Sequence, residues 1–446
     1  MFHRLINKMP VIGNFVRERP TLQRIIDNIG WLTFDRVFRL GVGLFVMGWV
    51  ARYLGPEQFG IWNYAIAFTS LFSAFATLGL DGIVVRELVN HPEKTEELLG
   101  TAFILRLIGG FIAFILSIGG AFLLGNTDTL TLSLIALSAG GFVFQAFMVI
   151  DYYNQAKIMS KYTVWAQNGA FLIMSVVKVI LLIVKAPLLA FALAGLAEII
   201  LGSVFLTFFF FGSYSFSFKI LNFNFELAKS LLKDSWPLML SGIAVMIYMR
   251  IDQVMIKEML GDREVGLYSA AVRISEIWYF IPMAIASSVF PKILEYKKAS
   301  EELYYKRLQE LFYYMTWLSI AIVIFIMLSG KIVIETLFGA DYIESYNVLV
   351  IHAWSGIFVS LGVASSGWYL AEGLVNMSFY RTALGCVVNI IFNLILIPKF
   401  LIIGAAISTL IGYASAGYLF DAFSHKTKKI FLLKTKSFLP INIWSR

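Results

Sequence analysis

Along most of this chain, apolar residues run for twenty or more positions, and polar residues gather in the short gaps between the runs. A helix rising about 1.5 Å per residue needs about 20 residues to cross a hydrocarbon layer about 30 Å thick. Runs of that length fall at 31–50, 59–81, 98–124, 130–150, 163–184 and 188–211. A second set follows at 236–256, 265–290, 311–331, 345–370, 378–397 and 401–421. The pattern predicts an all-α polytopic membrane protein of twelve transmembrane helices. It divides into a basic interfacial segment (1–30), a six-helix bundle (31–211), a cytoplasmic hinge (212–235), a second six-helix bundle (236–421) and a basic cytoplasmic tail (422–446).

The two sets share a marker. Leu54-Gly55-Pro56-Glu57-Gln58-Phe59-Gly60-Ile61-Trp62-Asn63-Tyr64-Ala65 has an echo 206 residues later, beginning at Leu260-Gly261 and running through Gly266 to Ala271. Each copy follows one apolar run and opens the next, with glycine where a helix must end. The same offset pairs Arg86 with Lys292. Six spans separate the equivalents, and an even number makes the repeats parallel, related by an axis along the membrane normal. The expected architecture is two parallel-repeat six-helix bundles around a central cavity.

Composition agrees with this reading. Hydrophobic residues make up 59% of the 446 and charged residues 14%, whereas a soluble domain carries about 25% charged residues. Mean hydropathy is +0.79. The single Cys386 excludes a disulfide framework and a cysteine-based metal site. His3, His91, His352 and His425 lie far apart, so neither a metal nor a cofactor is expected. The net charge of +8 does not point to nucleic acid, because the basic residues are spread over short loops. With the N-terminus inside, cytoplasmic segments hold 23 Lys and Arg against 6 in external loops. That bias places both termini of a multi-pass membrane protein in the cytoplasm.

Seven basic residues fall inside the spans: Arg36, Arg39, Arg106, Lys178, Arg250, Arg273 and Arg381. Asp35, Asp81, Glu198, Asp252 and Glu276 are the acidic residues at the same depth. A charge at the bilayer centre costs about 2.5–3.5 kcal/mol on insertion scales, so such a set must be paired or face a wet cavity. The surplus of cations predicts a cavity that attracts anions. Arg36, Arg39, Lys178, Arg250 and Arg273 are the expected substrate-binding cations, since guanidinium groups bind phosphate oxygens in a bidentate fork. Asp35, Asp252 and Glu276 are either their charge partners or sites for a coupling ion. Asp35 and Arg39 share one side of span 1, as Arg273 and Glu276 share one side of span 8, while Arg250 and Asp252 diverge. Arg36, Arg39 and Arg106 sit near enough to span ends to snorkel instead, and Arg381 is expected to do so.

The run Ala51-Arg52-Tyr53-Leu54-Gly55-Pro56-Glu57-Gln58-Phe59-Gly60 resembles the first hairpin of Wzx-type polysaccharide (O-antigen) flippases. These share a superfamily with multidrug and toxin extrusion (MATE) exporters and the lipid II flippase. Thr77-Leu78-Gly79-Leu80-Asp81-Gly82 fits the same pattern, as do Ala371 with Gly373, Asn389 with Asn393 and Pro398, and Gly404-Ala405-Ala406 with Thr409. Leu374 departs from it, standing where such proteins often carry Lys. The resemblance implies a V-shaped transporter that flips an undecaprenyl-diphosphate-linked oligosaccharide to the outer leaflet for surface polysaccharide assembly. A polysaccharide polymerase in the same membrane is the implied partner. The alternative is a cation-coupled multidrug or metabolite exporter of the same superfamily, whose cation-binding pocket should be acidic. A membrane enzyme is not expected, since the external loops are short and Asp128 and Asp341 stand alone in theirs.

Overall fold

Backbone polar groups have no water to bond in hydrocarbon, so long apolar runs must fold as helices. The computed structural model describes residues 20–126, 128–213 and 222–439, and there every element is helical. Residues 1–19 of the expected interfacial segment, 214–221 of the hinge and 440–446 of the tail lie outside the described residues. In chain order the helices are α1 (Pro20–Ser70), α2 (Ser73–Thr77), α3 (Asp81–Asn90), α4 (Thr95–Leu123) and α5 (Thr129–Phe144). Then come α6 (Val149–Ala156), α7 (Lys161–Ile183), α8 (Leu188–Ser213), α9 (Phe225–Met259) and α10 (Asp262–Glu276). The last are α11 (Phe280–Ala299), α12 (Glu301–Leu337), α13 (Ser345–Ala371), α14 (Val375–Gly417) and α15 (Lys428–Ser437).

Ten helical stretches are long and apolar enough to cross a membrane. Two are too long for one crossing: Asp27–Ser70 has 44 residues and Val375–Ala422 has 48, about 66 and 72 Å at the helical rise. Each contains one non-helical residue, Gly55 (φ 70°, ψ 169°) in α1 and Leu401 (φ 54°, ψ −138°) in α14. Pro56 follows Gly55, and Pro398 precedes Leu401 by three. Glycine turns the chain at no steric cost, and proline restarts a helix whose first N–H has no partner in any case. With each bent helix counted as two crossings, the ten stretches make twelve crossings.

The contacts divide the chain into two compact units. Unit 1 holds residues up to Tyr53 and Phe68–Ile243; unit 2 holds Leu54–Ala67 and everything from Ala244 on. The division falls inside α9, not in the polar stretch 212–235, because the first half of α9 packs on unit 1. Ala228 and Leu231 bury against Leu80, Ile83, Val84 and Leu98. Arg86 pairs with Asp234 at 2.7 Å. At Gly79 (φ 67°) a Cβ would meet the Ser235 carbonyl at 2.6 Å.

Unit 2 contains both copies of the repeated turn, and they clasp each other. A Cβ on Gly60 would meet the Asp262 carbonyl oxygen at 1.7 Å, and one on Gly266 would meet the Pro56 oxygen at 1.9 Å. Pro56 and Asp262, and likewise Gly60 and Gly266, are 206 residues apart. The contact therefore reads the same from either side, as a local two-fold requires. Gly55 and Gly261 both have positive φ and extended ψ, a conformation essentially reserved for glycine.

The described part of the basic tail folds as α15 and docks on α12. Lys434 is fully buried, with its ammonium 2.6 Å from Asp421 and 2.7 Å from the Gly417 carbonyl. Ser437 and Thr316 share a hydroxyl hydrogen bond of 2.8 Å, and Lys429 pairs with Glu301 at 3.0 Å.

Candidate functional site

In unit 2, α9 and α10 bring three charged side chains together. Arg250 pairs with Glu276 at 3.2 Å. Arg273, one turn from Glu276 on α10, lies within electrostatic reach of both but has no hydrogen bond or ion pair among the described residues. The expected link from Arg273 to Glu276 is thus displaced: the carboxylate turns to Arg250 on the neighbouring helix, and Arg273 keeps its donors free. Two cations on one carboxylate leave a net charge of +1. A half-buried guanidinium with five free donors is built to take an oxyanion.

Unit 1 repeats the arithmetic with other residues. Glu198 on α8 accepts from Lys178 of α7 at 2.8 Å and from Arg39 of α1 at 3.4 Å. Arg39 also lies over the Phe171 ring, 5.0 Å from its centroid. Arg39 thus pairs with Glu198 rather than with Asp35, one turn away on its own helix. Among the described residues, Asp35 leaves Oδ1 buried with no hydrogen-bond partner, and both amide atoms of Asn168 are in the same condition. Arg36 stays exposed with no hydrogen bond or ion pair among the described residues.

Asp252 diverges from Arg250 and is buried without a cation. Its carboxylate accepts from Asn393 Nδ2 at 2.5 Å, from the Tyr268 hydroxyl at 2.8 Å and from Thr409. Asn393 also bonds Asn389 Oδ1 at 3.1 Å, leaving Asn393 Oδ1 and Asn389 Nδ2 buried without partners. A carboxylate held by three neutral hydrogen-bond donors, with no cation paired to it among the described residues, can take up a proton or a small cation. The spacing of Asn389 and Asn393, four apart and hence on one helix face, is the sequence signal for this group; Tyr268 had none. Among the described residues, no three His, Cys, Asp or Glu side chains are placed to hold a metal ion.

Two expected snorkelling residues do something else. Arg106 is 3% exposed and bonds the Tyr152 hydroxyl, with Asp81 at 3.5 Å. Arg381, 8% exposed, donates to Ser365 Oγ at 2.8 Å and lies over the Tyr369 ring at 4.9 Å. Each found an internal acceptor on a neighbouring helix, although Arg106 keeps Nε buried with no hydrogen-bond partner among the described residues. Both are structural ties within their units.

Comparison with known proteins bears on the fold and the family. Residues 237–395 match the family described as MatE. The capsular polysaccharide biosynthesis protein CapF of Staphylococcus aureus is 21% identical over 361 residues, 80% of this chain and 89% of that one. A Shigella flexneri chain named, by inference, as an O-antigen transporter is 24% identical, covering 86% of this chain and 94% of that one. Among solved structures, the lipid II flippase MurJ in an inward closed conformation superposes with a TM-score of 0.69 at 16% identity, covering 93% of this chain and 91% of that one. That likeness concerns the fold, which is that of the MurJ and MATE transporters. Residues 25–297, more than half of the chain, match the family described as polysaccharide biosynthesis protein. This multi-pass membrane protein belongs to that polysaccharide biosynthesis protein family.

Proposed function

We propose that the chain is a flippase that carries an undecaprenyl-diphosphate-linked oligosaccharide from the cytoplasmic to the outer leaflet of a prokaryotic inner membrane, with both termini in the cytoplasm. The observation that carries this reading is the unpartnered Arg273 guanidinium at membrane depth, beside the Arg250–Glu276 pair. An ion that costs about 2.5–3.5 kcal/mol to insert earns its place when an anion neutralises it. The headgroup diphosphate is such an anion, and Arg250 and Arg273 are assigned to it. Arg39 and Lys178 around Glu198 form a second anion-receptive group in unit 1. Asp252 is assigned to the coupling ion, while Glu276 acts as the charge partner of Arg250. The glycan product is the substrate of a polymerase in the same membrane.

The second reading, a cation-coupled drug or metabolite exporter, has the MatE match over 237–395 in its favour. A cationic drug would meet a net positive group in each unit, which weighs for the flippase.

The test is reconstitution in liposomes with a short-chain polyprenyl-diphosphate oligosaccharide, following exposure of the sugar to an external lectin. Wild type is expected to expose it rapidly. Arg273→Ala is expected to slow exposure about 10- to 100-fold, the range that one or two lost charge-assisted hydrogen bonds produce. Unchanged exposure in Arg273→Ala and Arg250→Ala would remove the site. Efflux of cationic dyes without sugar exposure would replace the flippase with the exporter.

A further inference from the structure

Unit 1 contains a second charged place, distinct from the Lys178–Glu198–Arg39 group. A cavity of about 590 Å³ opens where α1 meets the turn between α6 and α7, a size within the range of small-ligand sites. Lys157 and Lys161 line it, together with Trp31, Trp165, Ile158 and Asp27. Neither lysine has a carboxylate partner among the described residues. Lys157 Nζ lies 5.9 Å from the Tyr153 ring centroid and Lys161 Nζ 4.7 Å from that of Tyr162. Asp27, the carboxylate of the lining, has an interaction of its own.

The backbone adds to the positive field. Lys161 opens α7, whose N-terminal end favours anions even though the Tyr162 N–H bonds the Met159 carbonyl at 3.3 Å. Ser160 at the N-cap makes no capping bond, and its hydroxyl is buried without a partner among the described residues. Its N–H is instead held by Asn28 Oδ1 at 2.9 Å, which fastens α1 to the turn.

The walls have a different character. Trp31 and Trp165 meet edge to face, 5.8 Å between centroids. Ile158 ends α6 in the left-handed region, at φ 56°. Met159 N–H bonds the Asn154 carbonyl and Ile158 N–H that of Gln155, the closure that usually has glycine at this position. A branched apolar side chain therefore lines the cavity at a strained position where glycine would relieve the backbone. The turn belongs to the segment 151–162 that the distribution of Lys and Arg places on the cytoplasmic side.

From two unpaired ammonium groups, a helix N-terminus and apolar aromatic walls, we infer that this cavity binds the phosphate headgroup of a lipid in the cytoplasmic leaflet. The phosphate sits at Lys157, Lys161 and the start of α7, and the first carbons of the lipid lie along Trp31, Trp165 and Ile158. A bilayer glycerophospholipid and a polyprenyl diphosphate offer the same chemistry. The inference rests on the membrane-spanning fold and not on the flippase reading.

The test is native mass spectrometry of the full chain, titrated separately with phosphatidylglycerol, short-chain polyprenyl diphosphate and phosphatidylcholine. One anionic lipid should bind in preference to phosphatidylcholine. The Lys157→Gln/Lys161→Gln double variant should weaken it about thirtyfold, since each lysine near an anionic headgroup contributes about five- to sixfold. Lys157→Arg/Lys161→Arg should restore binding. Ile158→Gly, which removes backbone strain and no charge, should bind the phosphate lipid. Tighter binding of polyprenyl diphosphate makes the occupant the transported class of lipid, and tighter phosphatidylglycerol makes it a bilayer lipid. Equal binding of all three lipids, or a folded double glutamine variant that binds as wild type does, overturns the inference. Binding is read without transport, so a failed sugar-exposure assay leaves this result standing.

Discussion

At the scale of single residues, the protein separates charges that look alike in the sequence. Arg106 and Arg381 each have a donor engaged, by Tyr152 and Ser365, whereas Arg273 has none engaged among the described residues. Removing Asp252's charge by Asp252→Asn should keep the fold, because an amide oxygen in place of Oδ2 still accepts from Tyr268 and Thr409, while Asn393 loses its acceptor at Oδ1. Its effect should fall on the ion dependence of sugar exposure in liposomes. A variant with wild-type dependence on both proton and sodium gradients would return Asp252 to a structural role. Lys434 is a sharper case, fully buried against Asp421. Lys434→Met leaves that carboxylate buried without its cation and should cost about 3–5 kcal/mol. Burial pushes the Lys434 ammonium down to about 8 from its ordinary 10.5. Below pH 8 the folded and unfolded chains both hold the proton, and the penalty of burying the charge is complete. Between pH 8 and 10.5 the folded chain releases the proton while the unfolded chain keeps it, so stability must rise with pH in that window. Thermal melts across pH 7–10 should show this rise in wild type and not in Lys434→Met.

At the scale of elements, the reciprocal glycine clasp is the most constrained contact. A methyl at Gly60 has nowhere to go, because the obstacle is the Asp262 carbonyl, part of the backbone. Gly60→Ala and Gly266→Ala should each destabilise unit 2, by at least the 1–3 kcal/mol typical of overpacking. Because both act on one contact, the double variant should cost less than the sum of the two. Strict additivity in denaturation would mean that the turns do not touch. The repeat was visible in the sequence as a shared spacing of Leu, Gly and aromatic residues, but the clasp was not. Two segments 206 residues apart carry no local signal of lying carbonyl to Cα. The kinks divide in the same way. Gly55-Pro56 announces a break through its own chemistry, whereas Leu401 is a left-handed leucine that composition does not reveal.

At the scale of the whole molecule, transport should follow the membrane potential. An inside-negative potential of 100 mV contributes about 2.3 kcal/mol per charge moved outward, or roughly 4–5 kcal/mol for an unneutralised diphosphate. Sugar exposure in liposomes should then slow when valinomycin and potassium collapse the potential and persist when the proton gradient alone is removed. The reverse result would assign the driving force to Asp252 and a proton. The division into units belongs to this scale too. The sequence places its boundary in the polar stretch 212–235, but α9 runs on through both units and changes allegiance at Ile243. Hydropathy records where a chain leaves the membrane, and it does not record which neighbours a continuous helix packs against.

What the sequence determined by itself is whatever depends on one segment and its solvent. The helical class, the crossings and the duplication all follow from runs of apolar residues, their spacing and the cost of leaving a polar group in hydrocarbon. What the tertiary structure decided is partnership. Glu198 collects Arg39 and Lys178, Glu276 chooses Arg250 over Arg273, and Asp252 collects Asn393, Thr409 and Tyr268. Each choice joins residues from different helices, up to 159 positions apart. A hydrogen bond or close ion pair needs its two groups within about 3–4 Å of each other, so only the packing of the helices could say which charge is satisfied and which is left for a ligand.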